Sequence, residues 1–506
     1  MAESQPIAGD AVRWDGRRLT VAAAPGATSD GAPEDIALDL DGCPFATARA
    51  GADGSATFDL PFSPSGHALA TAQLRRGRDG PVLHEGALTL HFGLPGTAAA
   101  GTSVPPLAPL ATPSLPPPDS DCLHGEVVVV VPVYGAPALV ERCIESVLRH
   151  SGAHARLLVI DDASPDPAIA PLLSRYRDRA GVELLQNSTN RGFTATVNRG
   201  MARAARADVV LLNADTEVGP NWLAGLRRAA YSASDIGTVT AVSDNAGAFS
   251  VPELERYCPW PAGWSFTQAS RALWQHAGLA YPSMPTGNGF CLYIRRAALD
   301  AVGAFDEQAF AEGYGEENDF CQRAQAAGFR DLIAGNVYVA HARSMSFGVA
   351  RRTALGEAGM RILRERWPNY DADVARDLHS FERRVLDWRV RRVYATADSM
   401  PPPRPRVAWI GADPAADATF ECWRVERAGA DALFTHDSTT RRVEATTFAQ
   451  TLWIGLQELA IELVVCGYAM RGEVMPVTTA LGIACVPPPE QGLPVADLLA
   501  QAGRLR

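Results

Sequence analysis

Acidic side chains directly follow two apolar segments that have the composition of buried strands. Asp161-Asp162 come after residues 157–160, and Asn213-Ala214-Asp215 come after residues 209–212. A carboxylate at the carboxyl end of a strand can reach a ligand in solvent while its backbone stays anchored in the sheet. The two segments therefore indicate a ligand site at one edge of a sheet.

Three further segments carry groups that suit the same site. They are the acidic run Glu316-Glu317-Asn318-Asp319, His341 after an apolar strand, and the glycine loop at 286–289. Mg²⁺ and Mn²⁺ prefer oxygen ligands, and they bind through a few carboxylates together with phosphate oxygens. The whole set predicts a metal-assisted site that transfers a group from a nucleotide donor.

Each segment also has an ordinary structural explanation. The run that begins at Asp161 fits a turn with polar residues that cap a helix. Carboxylates near residue 316 fit the first turn of a helix, where the helix dipole favours negative charge. A lone histidine such as His341 near a strand end is more often structural than a metal ligand. The hypothesis of a shared site therefore depends on the ordered set and not on one motif.

The composition is that of an ordinary globular protein. The 506 residues are 47% hydrophobic and 20% charged, and the net charge of −11 argues against nonspecific nucleic-acid binding as the main task. The nine cysteines contain no CxxC pair, which favours a reducing compartment over a disulfide framework or a zinc site. Neither a signal peptide nor an apolar run long enough for a membrane span is visible, so the expected location is cytoplasmic.

The pattern of strands, helices and turns divides the chain into five segments. Residues 1–97 predict a β-sandwich-like accessory domain, and the proline-rich residues 98–121 predict a linker. Residues 122–370 alternate strands with helices, which indicates an α/β fold with a mixed, mostly parallel sheet. Residues 371–404 predict a helical connection, and residues 405–506 predict a Rossmann-like α/β unit.

The middle segment resembles the inverting GT-A glycosyltransferases of family 2, which use nucleotide-sugar donors. The resemblance covers about half of the chain, and its motifs occur in the right order: Val131-Pro132-Val133-Tyr134, Val159-Ile160-Asp161-Asp162-Ala163-Ser164-Pro165-Asp166, Asn190-Arg191-Gly192-Phe193, Asn213-Ala214-Asp215, Thr286-Gly287-Asn288-Gly289, Glu316-Glu317-Asn318-Asp319 and His341. It implies the GT-A fold and inverting transfer of a sugar from a UDP- or dTDP-sugar to a hydroxyl of a glycan or glycoconjugate, in surface polysaccharide synthesis. The last hundred residues resemble the N-terminal half of a GT-B glycosyltransferase.

The resemblance also implies which residues bind the donor and the metal ion. In this family the second aspartate, here Asp162, reads the base, and an aromatic residue at the position of Tyr134 stacks on it. Asp215 and His341 are the implied ligands of Mn²⁺ or Mg²⁺, while Asn213 replaces the first aspartate of the usual DxD motif. The donor-binding set is Pro132, Val133, Tyr134, Asp161, Asp162, Asn190, Gly192, Asn213, Ala214, Asp215, Gly287 and Asn288.

The acidic run implies the catalytic residues. Inverting transfer is a single in-line displacement, and one carboxylate takes the proton of the acceptor hydroxyl as the attack develops. Its place in the motif assigns Glu317 as this base, with Glu316 as the fallback. Asp319 either holds the loop or contacts the acceptor.

Two other functions stay open at this point, and so does the acceptor. A non-catalytic carbohydrate-binding scaffold fits the three-domain layout. A sugar nucleotidyltransferase would need a glycine-rich, basic loop after the first strand of the middle segment, and residues 133–137 contain none. The resemblance implies a glycan or a lipid-linked glycan as the acceptor. The arginines between residues 351 and 392 suit either a solvated helical face or a peripheral contact with the inner face of the membrane.

Overall fold

The fold was analysed in a computed structural model of the chain. It describes residues 12–14, 18–22, 35–40, 43–51, 55–59, 66–77, 80–92, 126–151, 155–277, 281–311, 313–342, 349–378, 380–395, 397, 403–414 and 419–488. The predicted linker at 98–121 lies outside these residues.

The N-terminal segment forms two antiparallel sheets. One has the strand order β1-β2-β5 and the other the order β4-β3-β6-β7. In β2 and β5 alternate residues are buried, namely Leu19 and Val21, and Ala56 and Phe58, as expected for strands with one face toward a core. The strands are β1 Val12–Trp14, β2 Arg18–Ala22, β3 Asp35–Leu40, β4 Cys43–Arg49, β5 Ser55–Asp59, β6 Gly66–Arg76 and β7 Val82–Phe92.

An eight-stranded mixed sheet forms the centre of the middle segment. Its strand order is β10-β9-β8-β11-β14-β13-β15-β12, and four of the seven pairings, β10-β9, β9-β8, β8-β11 and β13-β15, are parallel. This arrangement confirms the predicted mixed, mostly parallel α/β fold. The strands are β8 Val127–Val133, β9 Ala155–Asp161, β10 Val182–Gln186, β11 Asp208–Leu212, β12 Thr216–Val218, β13 Ile236–Val242, β14 Cys291–Ile294 and β15 Arg330–His341.

Helices cover the central sheet and continue beyond it. Those between residues 137 and 326 are α1 Pro137–His150, α2 Ile169–Ser174, α3 Phe193–Arg203, α4 Trp222–Ala230, α5 Phe266–His276, α6 Arg296–Val302 and α7 Glu316–Ala326. Three more follow, α8 Val349–Arg366, α9 Tyr370–Leu378 and α10 Phe381–Ala395. A short 3₁₀ turn lies at Gly247–Phe249.

Sequence composition explains how α3 packs on the sheet. The valines of β8 are buried on both faces, as expected for a central parallel strand. Gly200 of α3 lies so close to β8 that an added Cβ would approach the Cγ1 of Val130 at 2.4 Å. The helix therefore lies directly on the sheet, and its first residue comes just after the 190–192 loop. It ends at Arg203.

A six-stranded sheet forms the C-terminal segment, with the order β19-β18-β17-β16-β20-β21. The pairings β17-β16, β16-β20 and β20-β21 are parallel. The strands β17, β18 and β19 form an antiparallel meander that the Rossmann-like prediction missed. The elements are β16 Arg406–Ile410, β17 Glu421–Ala428, β18 Asp431–His436, β19 Thr439–Val443, α11 Phe448–Glu458, β20 Leu463–Cys466, a 3₁₀ turn at Tyr468–Met470, α12 Arg471–Leu481 and β21 Ala484–Val486.

The C-terminal sheet is tied to the middle segment by polar contacts. The described residues within Leu115–Ala277, Tyr281–Leu378 and Pro402–Arg506 form one compact unit. Inside it, the Arg271 guanidinium of α5 forms a buried ion pair with Glu462, and Gln275 donates to the carbonyl oxygen of Arg404 at 3.0 Å. Helix α10 belongs to the other unit, so the predicted 371–404 connection is divided between the two. The domain boundaries themselves stay a prediction.

Candidate active site

A cavity of about 410 Å³ opens at the edge of the central sheet where β8, β9 and β11 end. It brings together most of the side chains singled out in the sequence, although they come from segments more than 200 residues apart. Three of the predicted residues, Asp161, Gly287 and Asp319, do not line it. The predicted residues that do are Pro132, Val133, Tyr134, Asp162, Asn190, Gly192, Asn213, Ala214, Asp215, Asn288, Glu316, Glu317 and His341.

Asp215 and His341 lie together on one wall of the cavity. The short strand β12 pairs with the end of β15, and Thr216 is opposite His341 in this antiparallel register. The His341 Nε2 is consequently 3.3 Å from the Asp215 Oδ1. Both side chains are largely buried, and the imidazole stacks on the ring of Phe290 with a centroid distance of 5.3 Å.

The contacts of His341 fit a divalent cation shared with Asp215. Its Nδ1 is 3.0 Å from the carbonyl oxygen of Asn245, which can only accept, so Nδ1 carries the proton. In a neutral imidazole the Nε2 lone pair then faces the Asp215 carboxylate. Two ligands at about 2.1 Å and at right angles around an octahedral ion lie about 3 Å apart, close to the observed separation.

No closed metal cage is present among the residues that the structure describes. In that part of the chain no three His, Cys, Asp or Glu side chains form a group that could hold an ion. The remaining coordination positions of an ion on Asp215 and His341 would be left for oxygen atoms of a ligand or water. This is the usual situation for Mg²⁺ and Mn²⁺ at a phosphate-binding site.

Residues that support His341 were missed by the sequence analysis. The Asp244 Oδ1 accepts the backbone N–H of His341 at 2.9 Å, and Asn245 supplies the carbonyl that orients the ring. Burial raises the pKa of Asp244. The available signal was the polar run Ser243-Asp244-Asn245 directly after the buried strand β13, which repeats the pattern seen after β9 and β11.

Glu316 and Glu317 begin helix α7 and face the same cavity. Glu316 is buried and Glu317 is partly exposed. No N–H or O–H group of the described residues donates to the Oε2 of either side chain. Burial raises the pKa of Glu316 well above its usual value, and the neighbouring Glu317 carboxylate raises it further. The charged form of Glu316 is therefore disfavoured.

Asp319 is anchored inside the protein and does not reach the cavity. It is fully buried, and it accepts hydrogen bonds from Arg323 Nε at 2.9 Å, Arg366 Nη1 at 3.1 Å and Trp367 Nε1 at 3.1 Å. Of its two predicted roles, this position agrees with holding the acidic run in place and not with contacting an acceptor.

The two aspartates after β9 have different surroundings. Asp161 accepts the N–H of Ser164 at 2.9 Å and a Gln186 amide hydrogen at 3.1 Å, so it shapes the turn. Asp162 lines the cavity, where it accepts the backbone N–H groups of Arg191 at 2.8 Å and Gly192 at 3.0 Å. It also accepts from the Asn187 amide at 2.6 Å, so three of about four lone-pair sites are used and one remains.

Other residues predicted to bind the nucleotide-sugar donor lie near these carboxylates or support the loops beside them. The Tyr134 side chain is 38% exposed at the end of β8, beside the turn that holds Asp162. The backbone N–H of Asn213 donates to the carbonyl oxygen of Phe290 at 3.0 Å, which joins the 213–215 segment to the 285–290 loop. Gly287 has a packing role, because an added Cβ would approach Leu292 Cδ1 at 2.8 Å.

Most of the aromatic and basic side chains outside the cavity have structural contacts. Trp264 is buried, and Trp274 packs against Gly225. Tyr257 is 63% exposed. Arg364 pairs with Asp371, which agrees with a solvated helical face. In the part of the chain that the structure describes, no helix has the length and apolar character of a membrane span.

The middle segment is similar to known glycosyltransferases. The family model described as "Glycosyl transferase family 2" matches residues 128–303. N-acetylglucosaminyl-diphospho-decaprenol L-rhamnosyltransferase of Mycobacterium tuberculosis is 27% identical over 246 residues, which are 44% of this chain and 77% of that protein. Pre-mycofactocin glycosyltransferase of the same species is 26% identical over 234 residues, 46% of each chain.

Solved structures show a more distant likeness. GalNAc-T7, crystallised with UDP, GalNAc and Mn²⁺, is 17% identical with a TM-score of 0.38, and the match covers 49% of both chains. This chain thus spans about half the length of that protein and of the pre-mycofactocin glycosyltransferase.

Proposed function

We propose that this glycosyltransferase, whose residues 128–303 match the family 2 model, is an inverting, metal-dependent enzyme. We further propose that it moves a sugar from a UDP- or dTDP-sugar to a hydroxyl of a glycan or glycoconjugate. The observation that carries this proposal is the single cavity that contains Asp162, Asp215, Glu317 and His341.

The donor would bind across the carboxyl ends of β8, β9 and β11. The free acceptor site of Asp162 suits the imide N–H that uracil and thymine share, and the exposed ring of Tyr134 suits stacking on the base. Asp215 and His341 would hold Mn²⁺ or Mg²⁺, which when bound neutralises the diphosphate and stabilises it as the leaving group. The imidazole ligand favours Mn²⁺ over Mg²⁺.

Glu317 would take the proton of the acceptor hydroxyl. It lines the cavity, and it is set on a helix rather than on a free loop. Its Oε1 accepts a long hydrogen bond from the Gly289 N–H at 3.4 Å, and no group of the described residues donates to its Oε2. A base so placed suits one in-line displacement at the anomeric carbon, with inversion of configuration.

The acceptor class is proposed from the relatives. The rhamnosyltransferase of M. tuberculosis acts, by its name, on N-acetylglucosaminyl-diphospho-decaprenol. A lipid-linked glycan in surface polysaccharide synthesis is therefore our proposed acceptor. An enzyme that works on such a substrate would act at the cytoplasmic face of the membrane.

Metal-dependent nucleotide binding tests the proposal. Calorimetric titration of the whole chain with UDP should show binding that requires Mn²⁺. Asp215→Ala should weaken this binding by about 100-fold, because it removes a direct metal ligand. The matched control is Asp178→Ala, which removes an exposed carboxylate of the same domain and should bind UDP like the unchanged protein.

UDP binding that is equally tight without a divalent ion, or in Asp215→Ala, would contradict the metal site. A parallel screen of UDP-, dTDP- and GDP-sugars for Mn²⁺-dependent hydrolysis would identify the donor base. Hydrolysis of GDP-sugars alone would contradict the assignment of Asp162 to the imide edge.

A further inference from the structure

We infer that Tyr370, which no motif of the sequence marks, is a positioning residue for the proposed base. Its hydroxyl group lies between the two polypeptide segments that form the catalytic wall of the cavity, the 285–290 loop and helix α7. This inference rests on the proposed role of Glu317. It extends the site to the start of helix α9, beyond residue 303, where the family match ends.

The hydroxyl of Tyr370 contacts one residue from each segment. It accepts a hydrogen bond from the Asn318 amide at 2.6 Å, and it donates to the Thr286 Oγ1 at 3.1 Å. Asn318 directly follows Glu317 in α7, and Thr286 comes three residues before Gly289. One buried hydroxyl therefore links the helix that carries the base to the loop whose N–H contacts it.

Two other contacts join the same segments. The Gln322 amide donates to the Pro285 carbonyl oxygen at 2.7 Å, at the far end of the loop. The Gly289 N–H donates to the Glu317 Oε1 at 3.4 Å, a long hydrogen bond. The strong contacts at Gln322 and Tyr370 thus fix the separation of loop and helix, and the weak contact at Glu317 follows from that separation.

The chemical state of Tyr370 suits this role. Burial raises the pKa of its hydroxyl, so the group stays protonated and donates throughout the physiological pH range. Tyr370 is 5% exposed and packs in a small apolar cluster with Phe310 and Leu363. The ring is therefore held by packing, and its hydroxyl can act as a rigid spacer.

Loss of the hydroxyl should reduce turnover more than donor binding. The proposed contacts of the nucleotide and metal ion, Asp162, Tyr134 and Asp215, lie outside both the 285–290 loop and α7, so UDP should bind as before. The Glu317 carboxylate would lose its fixed distance from the reacting hydroxyl, and a displacement of about 1 Å can cost about 100-fold in rate. We therefore expect kcat to fall about 10- to 100-fold while the Kd for UDP changes less than twofold.

The test compares Tyr370→Phe with Tyr176→Phe in the full chain. Tyr176 is also buried, and its hydroxyl donates to Glu145 at 2.8 Å outside the cavity, so its loss removes a comparable hydrogen bond. Donor hydrolysis with Mn²⁺ gives kcat, and calorimetry gives the Kd for UDP. Tyr176→Phe should leave both within about twofold.

A second variant covers the case in which Tyr370→Phe folds poorly. Thr286→Val removes the acceptor of the hydroxyl and leaves the tyrosine in place, and it should reduce kcat in the same direction. The double variant should be no slower than Tyr370→Phe alone, because both changes break one link.

Equal turnover in Tyr370→Phe and Tyr176→Phe, with UDP binding intact, would overturn the inference and leave the proposed function untouched. A proportional loss of UDP affinity in Tyr370→Phe would also overturn it. Failure of the unchanged protein to bind UDP with Mn²⁺ would instead overturn the proposed function.

Discussion

The central sheet and the C-terminal sheet are built alike, yet they differ at the carboxyl ends of their parallel strands. In the central sheet, polar segments follow β9 and β11, and a cavity of about 410 Å³ lies beyond them. In the C-terminal sheet, Gly411 follows β16 and Gly467 follows β20. These glycines lie so close that a Cβ on Gly467 would be 2.1 Å from the carbonyl oxygen of Gly411.

The difference shows that a parallel sheet becomes a ligand site only where its loops stay apart. The Gly467 N–H donates to the Ile410 carbonyl oxygen at 2.8 Å, which draws the two loops of the C-terminal sheet together. In the central sheet, the Asp162 carboxylate instead accepts the N–H groups of Arg191 and Gly192 in the 190–192 loop. Asp162 and Gly192 both line the cavity. The same architecture thus gives an open edge in one sheet and a closed edge in the other.

The largest effect should come from the base at the open edge. Glu317→Gln keeps the size of the side chain but removes its basicity, so kcat should fall about 1,000-fold. The Kd for UDP with Mn²⁺ should stay within about twofold, since Glu317 is not among the proposed nucleotide ligands. Donor hydrolysis and calorimetry on the same preparation measure both quantities.

Two controls sharpen this prediction. Glu365→Gln changes an exposed carboxylate on α8 and should leave kcat unchanged. Glu316→Gln replaces a buried carboxyl group whose pKa is raised, so that its neutral form is favoured, and the variant should retain far more activity than Glu317→Gln. Full turnover in Glu317→Gln together with its loss in Glu316→Gln would reverse the assignment of the two carboxyl groups.

The sequence predicts the strands and loops of the open edge better than the side-chain contacts that support them. The valine run of β8 and the apolar segments before Asp161 and Asn213 mark buried strands by composition alone, so the central fold was predictable. Their carboxyl ends also group the candidate residues, because parallel strands of one sheet end at one edge. The resemblance assigned the base to Asp162, but the role of Asp161 in shaping the turn was not predictable, since it depends on which donors approach that carboxylate.

Hydrogen bonds between residues far apart in the sequence were also not predictable. Arg366 and Trp367 follow Asp319 by 47 and 48 residues, and no local pattern relates them to α7. The antiparallel strands β17 and β19 were missed because they are rich in charged residues. Trp423 and Val425 alternate with exposed residues in β17, but this signal covers too few positions to stand out beside the apolar strand β16.

A smaller effect should come from the anchor of the acidic run. Asp319→Ala removes the fully buried carboxylate that accepts from Arg323, Arg366 and Trp367, and it leaves two guanidinium groups without that partner. The free energy of unfolding should fall by about 3 kcal/mol, as measured by urea denaturation. The control is Asp371→Ala, whose ion pair with Arg364 is more than half exposed and contributes less than about 1 kcal/mol. Equal losses in both variants would show that Asp319 is not an anchor.

The smallest effect should come from the closed edge of the C-terminal sheet. Gly467→Ala places a methyl group against the backbone of Gly411. Because the contacted atoms of Gly411 belong to the main chain, one of the two loops must shift. The free energy of unfolding should fall by about 1–3 kcal/mol, and kcat for donor hydrolysis should stay unchanged below the unfolding transition. Gly472→Ala is the matched control, since an added Cβ there has no neighbour within 4 Å and alanine favours the helix. A loss of kcat in Gly467→Ala, with stability intact, would mean that the closed edge also serves the transfer reaction, and the contrast between the two sheets would then be wrong.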